Sequence, residues 1–311
     1  MLLGLGACAS QGPAAERSPE ASSRARRLQD LGLLYDDTIV TQSGRTVDFN
    51  GQAVVPRYIH TSLDNGDRDL TVDVAATRFV FGLNPDVTVG LTIPYVQKAL
   101  RRVSPVSGMR ETLSSGGLGD VAVTGKYRFF QKTGAGETTE AAALFGVELP
   151  TGRTDVTDAG MRLPQPLQPG SGSMDAILGA AWTRVDGRWL VNADLVGKFN
   201  SEADGYRFGN TYRFDVGGQF RIHPAHYTSF DQTTVNLIAE LNTVYAERDT
   251  SGGAAIFDSG GFKMFATPGL QVIVSESMLF EVAVQLPIYR ALYGSQFEER
   301  FRTILGLRMR F

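Results

Sequence analysis

The chain has 311 residues, 42% of them hydrophobic and 20% charged, and a formal net charge of −3. No basic run is present that could track a phosphate backbone, which argues against a nucleic-acid partner. The lone Cys8 excludes internal disulfides and multi-cysteine metal sites, and no stretch approaches the roughly 18 apolar residues of a spanning helix.

The first residues, MLLGLGACASQG, read as part of an export signal, with a short apolar run but no basic n-region. Leu5-Gly6-Ala7-Cys8 has the form of a lipobox, which makes Cys8 the expected lipidation site. The competing reading is Ala7-Cys8-Ala9 as an ordinary cleavage site before Ser10. Residues 10–30 are small, polar, charged and proline-containing, and read as a flexible linker. The stretch 31–47, containing LGLLYDD, is open between a plug, a first strand and a periplasmic segment. The expected organisation is therefore a residual export signal or lipobox over 1–9, a linker and candidate plug over 10–47, and one large β structure over 48–311.

From about residue 50 the chain alternates with period two. Val87, Val89, Leu91, Ile93 and Tyr95 share one face, and Thr88, Gly90, Thr92 and Pro94 the other. The same pattern returns in VAVTGKYRF, WLVNADLVGKFN, TYRFDVGGQFRI and FEVAVQLPI. These runs are longer than ordinary soluble strands and match the 9 to 11 residues that cross a bilayer at a tilt. About twelve such segments are expected, near 49–60, 69–83, 87–101, 118–132, 140–153, 172–185, 188–200, 207–223, 233–248, 261–275, 278–292 and 299–311. The second changes phase near Thr77 and Arg78, which suggests a bulge there. In the last, ILGLRMRF, Ile304 breaks an otherwise strict alternation.

Short and long connections take turns along the chain, as in outer-membrane barrels with short periplasmic turns and longer outer loops. HPAHYTSFDQ, near 223–232, is long for its place. A soluble β-sandwich would explain alternation equally well. Strand length, the aromatics flanking the short turns (Trp182, Trp189, Tyr127, Phe129, Phe130) and opposite charges deep within strands favour a membrane barrel. The fold class is accordingly all-β: a transmembrane antiparallel β-barrel of about 12 strands with a flexible N-terminal segment. The expected lumen-lining residues are Lys126, Arg128, Asp194, Lys198, Arg213, Asp215, Arg221, Glu240, Glu281, Arg302 and Arg308. Pro94, Pro150 and Pro287 fall late in outward-running strands, where ordinary strand termination accounts for them.

Three stretches, GGLGDVAVTGKYRFF (116–130), FGVELPTGR (145–153) and LQPGSGSMDAILGAAWTR (167–184), together with the terminal aromatic, resemble a family of Gram-negative outer-membrane proteins named "MetA-pathway of phenol degradation". The resemblance runs from about residue 60 onward. It implies an outer-membrane barrel with a part in the passage of small, often aromatic or hydrophobic compounds. It also implies that Phe311 is read by the barrel assembly machinery. Expected partners are membrane lipids, that machinery and a small solute, with no cofactor.

Catalysis and metal binding find little support. His223 and His226 fall in a connection without further ligands at fixed spacing. His60, near Thr61 and Ser62, is the only serine–histidine arrangement of the barrel-lipase kind. GGLGD lacks the following helix of a phosphate loop, and Asp155 and Asp158 read as solvated loop carboxylates. Three functions stay open: a channel for small solutes, a non-conducting structural or adhesive barrel, and a soluble periplasmic β-protein.

Overall fold

The computed structural model describes residues 38–47, 49–104, 108–158, 160–227 and 232–311. Cys8 and the residues before Thr38 lie outside the described residues. Twelve long strands follow one another: β1 (Gln52–Asp64), β2 (Asp69–Asn84), β3 (Val87–Val103), β4 in two pieces (Arg110–Leu118 and Val121–Thr133), β5 (Glu137–Leu149), β6 (Asp175–Asp186), β7 (Trp189–Phe199), β8 (Thr211–His223), β9 (Thr234–Ala246), β10 (Gly261–Ser275), β11 (Met278–Leu292) and β12 (Glu298–Arg310). Each pairs antiparallel with its chain neighbours, and β12 pairs with β1 from Ala53↔Arg310 to Asp64↔Glu298. The sheet closes through the second piece of β4, while the first piece, Arg110–Leu118, pairs with β3 alone.

Burial is inverted relative to a soluble sandwich. Asn192, Asn236 and Gln271 are 0% exposed, whereas Leu195 is 59% and Phe214 55% exposed. Polar side chains are packed inside the ring and large apolar ones stand outside it, which is stable only against lipid. Trp189 and Trp182 lie outside, beside the Asp186–Trp189 turn, where Trp189 packs on Phe220 at 4.5 Å. Tyr127, Phe129 and Phe130 are exposed beside the next short turn. These aromatics sit at the short-turn end, the periplasmic side by the usual asymmetry of such barrels.

Two local readings change. No bulge occurs at Thr77 and Arg78: β2 pairs with β1 and β3 without interruption there, and its irregularity lies between Gly82 and Asn84. The apparent phase change arises because the inward face of β2 is itself largely apolar, with Val74, Ala76 and Val80 beside Arg78. The fourth strand is broken at Gly119-Asp120. β3 pairs with its first piece through Tyr95–Val103 and with its second through Val87–Thr92.

The last residue adds two main-chain hydrogen bonds to the closing seam. Phe311 N donates to Gln52 O at 2.9 Å, and Gln52 N donates to Phe311 O at 3.5 Å. Its side chain is 75% exposed. Loss of Phe311 therefore costs the finished barrel little. The expected outcome of its deletion is normal heat-modifiable gel migration after refolding from denaturant, with a marked drop in surface assembly in cells. Equal assembly of truncated and full chains would show that the terminal aromatic carries no assembly signal.

Candidate functional site: a strap inside the barrel

Residues 38–47 touch β3, β4, β5, β6, β7, β9, β11 and β12. A segment in contact with strands all round a closed sheet lies inside it. This strap has no ladder partner, so its amide groups need other acceptors. The Glu240 carboxylate on β9 serves three successive ones. Ile39 N donates to Oε1 at 2.7 Å, Val40 N to Oε1 at 3.0 Å and Thr41 N to Oε2 at 2.7 Å, with Thr41 Oγ1 on Oε2 at 2.6 Å. Gln42 N donates to Asp194 Oδ2 at 2.5 Å, Gly44 N to Thr183 Oγ1 at 2.8 Å and Val47 N to Thr88 Oγ1 at 2.8 Å. Arg45 pairs with Glu140 at 3.3 Å, and Lys126 Nζ donates to Ser43 O at 2.6 Å.

One apolar contact anchors the strap as well. Ile39, 2% exposed, packs with Ile238, Ala283 and Ile304. Ile304, the residue that breaks the alternation of the last strand, is thus part of the strap's seat. Gly217 makes room for the strap: a Cβ there would lie 2.7 Å from Thr38 Cγ2.

The strap divides the lumen. On the β6–β11 side it lies against a layer of buried amides and hydroxyls, several of them hydrogen-bonded to one another. Thr183 Oγ1 donates to Asn192 Oδ1 at 2.6 Å, Asn236 Nδ2 to Gln271 Oε1 at 3.0 Å, and Thr267 Oγ1 to Asn242 Oδ1 at 2.6 Å. On the β1–β5 and β12 side a cavity of about 530 Å³ remains in the periplasmic half. Arg57, Arg78, Lys126, Arg128, Arg308 and Arg310 surround an apolar patch that includes Val55, Ala76 and Val80. Arg57 is paired with Glu281 at 2.5 Å, and Arg128 with Glu140 at 2.6 Å and Asp86 at 3.0 Å.

The residues singled out in the sequence fall into separate groups. Lys126, Arg128 and Arg308 meet at the cavity, with Glu281 reaching it through Arg57. Glu240 and Asp194 hold the strap. Arg213 bridges Asp194 at 4.0 Å and Asp215 at 3.9 Å. Lys198 stands apart near the outer end, between Glu148 at 2.5 Å and Asp175 at 3.2 Å. Arg302 pairs with Glu299 at 2.9 Å, also near the outer end. Arg221 lies at the periplasmic end, 4.3 Å over the Tyr227 ring. Sequence reasoning missed Arg45, Arg57, Arg78, Glu140 and Arg310. Arg57 and Arg78 sit among inward apolar residues, so alternation did not mark them.

His60 Nδ1 donates to Asp73 Oδ1 at 2.8 Å, and Tyr58 OH donates to the same carboxylate oxygen at 2.6 Å. This network stands on the outward face, and Ser62 makes no hydrogen bond with His60. Among the described residues no His, Cys, Asp and Glu cluster has metal-site geometry. Asp155 pairs with Arg153 at 3.4 Å, and Asp158 accepts from Ser114 N at 2.6 Å. In the outer loops, burial and a 2.6 Å hydrogen bond to Asp249 raise the Tyr206 phenol well above its usual pKa.

A solved structure with the same fold is the COG4313 outer membrane channel from Pseudomonas putida F1. It is 16% identical, with a TM-score of 0.67 over 88% of this chain and 100% of that one. The β domain of the Bordetella autotransporter BrkA is 12% identical, with a TM-score of 0.45 over 85% of this chain and 100% of that one. Among curated proteins none matches the chain. The family described as "Putative MetA-pathway of phenol degradation" matches residues 36–286, and its match begins at the strap. The chain belongs to that family and is a 12-stranded β-barrel of the outer membrane.

Proposed function

We propose that the protein is a channel for passive passage of small compounds across the outer membrane, with residues 38–47 as its resident plug. The observation that carries this reading is the division of the lumen. Twelve strands enclose more space than side chains alone fill, and here an internal segment occupies part of it beside a cavity of about 530 Å³. An apolar patch ringed by guanidinium groups suits a small molecule with an apolar body, and favours one bearing negative charge. The family's description names phenol degradation, which accords with aromatic compounds as solutes. The similarly folded Pseudomonas protein is itself named a channel.

One observation favours the second reading, a non-conducting barrel that acts through its outer loops. The strap is clamped from several sides, by Glu240, Asp194, Thr183, Thr88 and Lys126. The two readings part in one experiment. Full-length protein and a variant lacking 38–47 are compared in planar bilayers. The channel reading expects conductance that rises on deletion of the strap. Silence of both proteins supports the second reading and overturns the first.

Glu240→Ala removes four strap contacts. Hydrogen bonds to a charged group contribute about 1.5–3 kcal/mol each, so even partial loss shifts the strap strongly toward release. The expected outcome is conductance approaching that of the strap deletion, and new protease cleavage within 38–47. The double variant Arg308→Ala, Arg310→Ala withdraws two positive charges from the cavity wall. Its reversal potential in a salt gradient is expected to move toward cation preference, and an unchanged potential would remove the cavity from the conduction path.

A further inference from the structure

Three glycine-containing stretches far apart in sequence meet at one point near the outer rim. Gly119-Asp120 breaks β4. Pro150-Thr151-Gly152 follows the end of β5, and Gly170-Ser171 precedes β6. Asp120, 8% exposed, stands between them. Its Oδ1 accepts Gly152 N at 2.8 Å and its Oδ2 accepts Ser171 N at 2.5 Å. Around it Gly119 N donates to Pro94 O, Arg153 N to Leu118 O and Gly170 N to Arg153 O, each at 2.9 Å. The backbones touch without side chains. A Cβ on Gly152 would lie 2.7 Å from Gly170 Cα and 2.8 Å from the Gly119 carbonyl carbon. Asp120 thus ties together the entry and exit of the connection between β5 and β6.

That connection, described over residues 154–158 and 160–171, runs inward. Val156, Leu163 and Leu167 are buried against Leu100 and Leu113, with Leu70 and Phe297 packed on the cluster. Leu70 and Leu100 lie on the inward faces of β2 and β3, so the loop reaches from the β5–β6 side across the mouth. Lys98 Nζ, also inward on β3, donates to Pro166 O at 2.9 Å and Gln168 O at 2.7 Å, and Ser115 Oγ donates to Leu167 O at 2.6 Å. The loop is rigid within itself. Buried Gln168 accepts from Val156 N at 2.9 Å and donates to Leu163 O at 2.7 Å.

We propose that the packed part of this connection, residues 160–171 with Val156, is the outer gate of the pore and that Asp120 is the positioning residue that holds the gate across the mouth. The proposal rests on the channel reading for its consequence, but the loop's position can be read without it. A carboxylate receiving an N–H from each side of a loop's neck sets the direction in which the loop leaves the barrel. Lys98 and the leucine cluster hold the far end. With the neck released, the loop keeps its own fold but loses its aim.

The test is made in a Cys8→Ser background carrying Leu163→Cys, a buried position in the closed loop. Folded protein in liposomes is treated with a membrane-impermeant maleimide and, in parallel, recorded in planar bilayers. Addition of Asp120→Ala is expected to raise the labelling rate by about tenfold or more, the change that losing about 1.4 kcal/mol of anchoring produces. Open-channel conductance is expected to rise with it, while heat-modifiable migration stays that of a folded barrel. Labelling that stays slow in the folded variant overturns the proposal, as does faster labelling without any rise in a conducting protein. Should Asp120→Ala fail to fold, Lys98→Met leaves the neck intact and frees the far end, with the same expectations and the same overturning results. If neither the full chain nor the strap deletion conducts, the channel reading falls, while the labelling rate still reports whether Asp120 positions the loop.

Discussion

The arrangement inside this barrel depends on one interaction, a carboxylate accepting successive main-chain N–H groups. An extended segment drawn into a closed sheet finds no strand edge beside it, because the strands around it are paired on both sides. Its amides must be satisfied one at a time by side chains. Glu240 accepts three of them and the Thr41 hydroxyl, and Asp194, Thr183 and Thr88 take others. The same donors offset the cost of keeping a carboxylate away from bulk water. Neither partner is stable in that place without the other.

From this clamp the rest of the lumen follows. The wall that carries most of the strap's acceptors is rich in buried amides and hydroxyls, with Arg213 beside Asp194 and Asp215. The opposite wall, where Thr88 takes the Val47 amide, carries most of the guanidinium and ammonium groups and bounds the cavity. Arg45 and Lys126 belong to both halves. Arg45 is a strap residue that lines the cavity, and Lys126 is a wall residue that holds the strap's Ser43 carbonyl.

Strand number and strand direction were legible in the sequence, because a period of two along a half-buried strand is a direct imprint of the pleat. The signal failed where the inward face is apolar. Arg57 and Arg78 vanished among valines and alanines, and the mixed face of β2 mimicked a bulge. The strap's seat left only a trace, the isoleucine at 304, since its acceptors are single side chains on strands far apart in sequence. The glycine motifs were visible as strings. That they form one knot around Asp120 depends on a strand break and a chain return that no local pattern records.

The strap is nearly neutral apart from Arg45, yet it covers carboxylates. A lumen from which it has swung away would expose Glu240 and Asp194, with Asp215 close behind, facing Arg78, Lys126 and Arg308 across the opening. The sequestered acids and the basic wall would then act as the two plates of a capacitor. A passing molecule would meet a transverse electric field, strongest where the wall is driest, and would be turned so that its dipole lies across the pore. Withdrawal of the strap therefore changes the kind of opening as well as its width, from a mainly basic passage to one that sorts solutes by how their charge is distributed.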